Sequence, residues 1–247
     1  MRAFLTCLTA LACGVHAQSG CAQSTDQGID QSIAHNIDQS VDESIDQGTR
    51  SGSVESAESK STLRLSWAKS SESDLTTGVF GDFNASQESG YLVDASFGYR
   101  FSDTLFGLPF PMTANFGLQY LNERGYQDNG WGATAFIKAH YTWRLPYTQK
   151  HITFGLGEGL SYVSVIPMSE QRDFAKKGVE SEKLLNYVEW TIDLPLRQFD
   201  AFEPLFRNHI QELSVGFIVW HRSSIYGTFA DTRGGVNYMG FGLEARF

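Results

Sequence analysis

His221 and Ser223 stand two residues apart in the run VGFIVWHRSSIYG, close to the C-terminal end of this 247-residue chain. On extended backbone, residues i and i+2 share a face, so imidazole and hydroxyl are neighbours within hydrogen-bonding range. A base beside a serine suits acyl transfer, because the hydroxyl must lose its proton as it attacks a carbonyl. Val215, Phe217 and Val219 continue the same face, and Ser214, Gly216, Ile218, Trp220 and Arg222 form the other. The final segment alternates likewise. Asn237, Met239, Phe241, Leu243, Ala245 and Phe247 share one parity, whereas Tyr238, Gly240, Gly242, Glu244 and Arg246 share the other. Antiparallel pairing of these two strands would bring Asn237 beside His221, where its amide oxygen could orient the ring. A histidine and a serine in a headgroup zone fit the same pattern without any chemistry.

The elements that must position these residues follow from period-2 alternation. Eight such segments succeed one another: Leu63–Lys69, Tyr91–Phe101, Pro111–Asn122, Trp131–Leu145, His151–Ile166, Lys183–Arg197, His209–Ser223 and Gly234–Phe247. Each has one apolar parity, such as Leu63, Leu65 and Trp67, or Val93, Ala95, Phe97 and Tyr99. The opposite parity carries Asp94, Arg100, Lys138, Glu189, Asp193, Glu244 and Arg246, which read as structural ion pairs inside a narrow lumen. Trp67, Tyr91, Phe101, Tyr120, Trp131, Trp143, Tyr162 and Trp220 lie near strand ends, as in the aromatic girdles of a membrane barrel. The expected fold is all-β: an eight-stranded antiparallel transmembrane β-barrel over 63–247. Such a lumen is filled by side chains and is not a transport pore. Longer gaps after odd strands place their loops outside the cell. Glu158, in GLGEGLSY, has the lipid-facing parity; a charge there is costly, so its flanking glycines predict a bulge that turns it inward beside Arg or Lys, the alternative being a second acid for the site.

Met1-Arg2, the apolar run Ala3–Val15 and the small-residue site Val15-His16-Ala17 predict a signal peptide over 1–17. Residues 18–62 contain the tetrads TDQG, IDQS, IAHN, IDQS, VDES and IDQG. A strict four-residue period drifts around a helix of ~3.6 residues per turn, so a disordered spacer is expected. Cys21 follows Ser19-Gly20, but Gln18 stands where a lipoprotein box has leucine. Beyond Cys21 there is no cysteine, hence no internal disulfide and no cysteine-based metal site in 22–247. No metal or other cofactor is expected. The net charge of −9 argues against nucleic acid as a partner. The cell outer membrane is the expected location, with Phe247 offered to the barrel assembly machinery.

The His-x-Ser of HRSSIYG, and the position of Asn237 relative to the chain's end, resemble the lipid A 3-O-deacylase family of outer membrane barrels. The resemblance covers the barrel in outline and specific residues over about 213–247. It implies a serine esterase acting on lipopolysaccharide in the outer leaflet, with Ser223 as nucleophile and His221 as base. Two positions depart from the family pattern. Asn237 stands where the acid belongs, and Ser224 stands where an asparagine helps bind the oxyanion, with the glycine displaced to Gly227. The resemblance therefore implies a slow enzyme. The alternative from the residues is a non-enzymatic outer membrane barrel whose loops bind a partner or support the envelope.

Overall fold

The computed structural model describes residues 60–73, 77–78, 80–206, 210–224 and 235–247. The expected signal peptide, nearly all of the spacer, and Gly227 lie outside the described residues. Eight strands are present: β1 (Ser61–Ser71), β2 (Tyr91–Ser102), β3 (Met112–Asn122), β4 (Gly130–Arg144), β5 (His151–Val163), β6 (Leu184–Pro195), β7 (Glu212–Ser223) and β8 (Gly235–Arg246). Each pairs antiparallel with the next, and β8 pairs back onto β1, closing the barrel. Closure satisfies every ladder, so no strand presents an open edge to its surroundings. β1 begins at Ser61, within the segment expected to be spacer.

Alternation sets which face goes where. Along β1, Leu63, Leu65 and Trp67 are exposed, and Arg64, Ser66 and Ala68 are buried. Phe97, Phe116, Leu118, Ile137, Phe241 and Leu243 extend the exposed apolar wall around the barrel. The charges are inside: Arg64 pairs with Asp193 at 2.6 Å and Glu244 at 3.1 Å, and Lys138 pairs with Glu189 at 2.7 Å. A Cβ at Gly216 would overlap the Asp193 carboxylate, so that position stays small. Greasy outside and charged within is the inverse of a water-soluble protein. It is the construction of an outer membrane barrel, whose backbone is satisfied internally and whose wall meets hydrocarbon.

Several expected placements are corrected. Trp220 is not part of the interfacial girdle. It shares the lumen parity of Ile218 and Arg222, is buried, and donates its indole N–H to Glu189 at 2.9 Å. Asp94 is buried in the lumen with no ion-pair partner among the described residues. Arg100 pairs at 3.4 Å with exposed Asp103 at the short-loop end. Glu158 does not turn inward. β5 pairs without interruption on both sides, setting Glu158 between Ile137 and Val188 on the outer face. The flanking glycines thus sit in regular strand rather than in a bulge. Because a carboxylate on the outer wall is unfavourable, Glu158→Leu should stabilise the barrel by about 1–2 kcal/mol. Urea unfolding in lipid vesicles reads this; a destabilised variant would show that Glu158 has a compensating partner.

The connections after β1, β3, β5 and β7 leave from one end of the barrel, and the termini of the described barrel lie at the other. The long-loop end carries a helix, α1 (Met168–Lys176), that the alternation reading missed. α1 is anchored over the mouth. Phe174 and Glu170 are fully buried; the Glu170 carboxylate accepts from Ser181 and lies 3.7 Å from Arg222. Glu123 accepts the Met168 N–H at 2.9 Å. Arg172 ties the helix to loop 72–90 through Glu72 at 2.7 Å and Glu88 at 2.9 Å.

These anchors titrate in opposite senses. Burial raises the Glu170 and Glu123 carboxyls above their usual range, and Arg172 lowers Glu72 below it. A raised carboxyl contributes stability that is complete below the unfolded value near 4.5 and is lost as pH climbs through the folded value. The Glu72 contribution is lost only on falling below 4.5. Above pH 4.5 a change of pH acts through the raised pair and not through Glu72, so α1 should be docked more firmly at the acid side. Amide exchange over 168–177, corrected for intrinsic rates, should slow from pH 7 to pH 5. Faster corrected exchange at pH 5 would contradict this.

Candidate active site

β7 and β8 pair in the register that places His221 opposite Asn237 and Ser223 opposite Gly235. All three candidate side chains follow the outward parity of Val215, Phe217 and Phe241 near the long-loop end. The His221 Nδ1 and Asn237 Oδ1 are 2.7 Å apart. Asn237 Nδ2 donates to the Ser73 carbonyl at 2.7 Å, so its Oδ1 is left to accept. Nδ1 must therefore carry the imidazole proton, and Nε2 keeps its lone pair. A neutral histidine in this tautomer is ready to take a proton at Nε2.

Ser71 and Asn84 hold Ser73, whose carbonyl receives this amide, in place. The Ser73 N–H donates to Ser71 Oγ at 3.1 Å, and the Asn84 N–H donates to Ser73 Oγ at 2.9 Å. Ser71 is itself opposite Asn237 in the β1–β8 ladder. Loop 72–90 also covers the upper outer face of β8. Phe241 is 63% exposed, yet Met239 one step up is only 3% exposed and Asn237 is 9% exposed. Gly78 packs on Met239 so closely that a Cβ there would overlap its Cε. The site thus lies at the edge where bare apolar wall gives way to a polar roof.

Ser223 is half-buried at the end of β7, on the same outer column as His221. Among the described residues its hydroxyl makes no hydrogen bond, so none joins it to His221 in this state. Resting hydrogen bonds of this kind are often long and tighten only with substrate. Gly235, opposite Ser223, leaves room for the ring: a Cβ there would strike the Arg222 carbonyl and stand 2.8 Å from His221 Cε1. The Gly235 N–H donates to Asp173 of α1 at 3.2 Å, so the roof helix holds the start of β8. Ser224 is buried, on the parity opposite to Ser223. Gly227 is outside the described residues.

The outer wall carries further polar groups at this height. Glu158, Val188, His221 and Asn237 occupy one rung across β5 to β8. One step up, Leu160, Asn186 and Ser223 occupy another. Adjacent strands are about 4.8 Å apart, so Glu158 is separated from His221 by a single apolar residue. Asn186 had a visible signal in the sequence, being the polar member of the column Leu184, Val188, Trp190 and Ile192. Ser73 and Asp173 had none, because one lies in a loop and the other in a helix between strands, outside the period-2 alternation. Among the described residues no cluster of His, Cys, Asp and Glu could hold a metal ion.

No protein-family profile matches the chain, and no curated protein matches it by sequence. Solved structures of similar outline exist. The outer membrane enzyme PagL is 11% identical, with a TM-score of 0.44 over 74% of this chain and 97% of that one. Neisserial surface protein A is 12% identical, with a TM-score of 0.43 over 76% and 97%. Ail of Yersinia pestis is 10% identical, with a TM-score of 0.35 over 77% and 100%. At these values nothing about chemistry passes from them to this chain.

Proposed function

We propose that this barrel is a serine esterase that removes an acyl chain from lipopolysaccharide in the outer leaflet. The observation that supports the reading is the His221–Asn237 hydrogen bond, backed by the Ser73 carbonyl, which leaves Nε2 with its lone pair on the outer column that Ser223 continues. In the reaction, Ser223 Oγ attacks the ester carbonyl as His221 Nε2 takes its proton. The protonated ring then returns a proton to the departing sugar hydroxyl, and water releases the acyl group by the same route in reverse. Position supports the substrate class. A site on the outer wall is reached by lateral diffusion, and lipid A places ester carbonyls just below the headgroups. The roof of loop 72–90 excludes water on one side, which strengthens the electrostatics of the site.

Mass spectrometry of lipid A from cells expressing the protein tests the proposal. Wild type should yield a species lacking one acyl chain, and Ser223→Ala should leave lipid A intact. Identical lipid A in both would overturn it. One observation favours a second reading: the lack of a His221–Ser223 hydrogen bond among the described residues suits an inert barrel whose outer loops bind a partner.

A further inference from the structure

An esterase of this kind needs a donor for the negative oxygen formed when the serine attacks, and Ser224 is buried on the parity opposite to Ser223. Asn186 of β6 has the needed properties. It lies directly opposite Ser223 in the β6–β7 ladder, and such pairs have Cβ atoms about 4.5–5.5 Å apart on one face. Its parity is that of outward-facing Val188 and Trp190, so its carboxamide shares the side on which Ser223 would meet a carbonyl. It is only 5% exposed, and among the described residues no hydrogen bond engages its side chain. A carboxamide there is the polar exception among Leu184, Val188, Trp190 and Ile192. The column would be filled more favourably by leucine, as at Leu184 two residues earlier.

We infer that Asn186 is a catalytic residue whose Nδ2–H donates to the oxyanion of the ester undergoing attack by Ser223. The inference rests on the reading of Ser223 as nucleophile. The step is balanced: Ser223 Oγ forms a bond to the carbonyl carbon, its proton passes to His221 Nε2, and the carbonyl π pair moves onto oxygen. Asn186 holds that charge until the pair returns and the alkoxide leaves with the proton from His221. Its amide is idle in the resting protein because its acceptor exists only during the reaction. A donor used in this way favours the transition state over the substrate.

The test compares wild type, Ser223→Ala, Asn186→Leu and Asn186→Ala as full-length protein in detergent, hydrolysing the p-nitrophenyl ester of a medium-chain fatty acid. Asn186→Leu and Asn186→Ala should each lower kcat on the order of 10²–10³ with KM unchanged. The Tm of Asn186→Leu should match that of wild type, since leucine suits an outer wall that is otherwise apolar. Wild-type kcat in either variant overturns the role of Asn186 while leaving Ser223 in place. A drop in kcat of Asn186→Leu that comes with a lower Tm makes Asn186 a structural residue and also overturns it. A wild type no faster than Ser223→Ala overturns the nucleophile itself, and the oxyanion donor with it.

Discussion

On the proposed esterase reading, replacing His221 by alanine should lower kcat for ester hydrolysis on the order of 10⁴ or more, with little change in KM. The serine hydroxyl is a poor nucleophile at neutral pH, and on the outer wall His221 is the base sharing its column. Nucleophile and base act as one unit. The double variant His221→Ala with Ser223→Ala should therefore be no slower than either single one. Additive losses would mean that the two side chains work separately. Initial rates in detergent micelles, taken at saturating substrate, measure this directly. Folding is not at stake, because the ring faces outward and its one hydrogen bond among the described residues is to Asn237.

The second large effect is a gain. A carboxylate at Asn237 would stabilise the imidazolium that forms in the transition state, and the reverse change in a serine protease costs ~10⁴ in rate. The structure sets a limit on that gain. Asn237 Nδ2 donates to the Ser73 carbonyl at 2.7 Å; in Asn237→Asp that donor becomes a second negative oxygen facing a carbonyl oxygen. The variant should therefore raise kcat by less than the full ~10⁴ and lose about 1–3 kcal/mol of stability. Measured rate and urea midpoint should move in opposite directions. A slower Asn237→Asp enzyme of unchanged stability would show that the amide is not the brake on this site.

The barrel was legible because membrane strands alternate and because their ends are punctuated. β2, β5 and β7 each share a terminal residue with the segments read from alternation, and the His221–Asn237 pairing followed from parity plus antiparallel order. Parity also contained what was misread. Trp220 looked like a girdle residue from its place near a strand end, yet its parity already put it in the lumen beside Glu189. Glu158 was expected to escape lipid through a bulge. Instead the ladder continues through Gly157 and Gly159, which shows that strand pairing outweighs the cost of one outward carboxylate. What sequence could not give was the roof. α1 and loop 72–90 are joined by Arg172 to Glu72 and Glu88, contacts between distant segments that have no local pattern. The Ser73 carbonyl, a backbone group, has no residue-type signature at all. The Asn186 signal was present as a polar break in an apolar column, but its meaning appears only when the register sets it against Ser223.

The most direct measurement of the central claim is covalent capture of the nucleophile. The full-length protein in detergent is incubated with a long-chain alkyl fluorophosphonate, and its peptides are analysed by mass spectrometry. The account predicts one phosphonylated residue, Ser223, modified in wild type and unmodified in His221→Ala. An unlabelled Ser223 in folded wild-type protein, or equal labelling with and without His221, would contradict it.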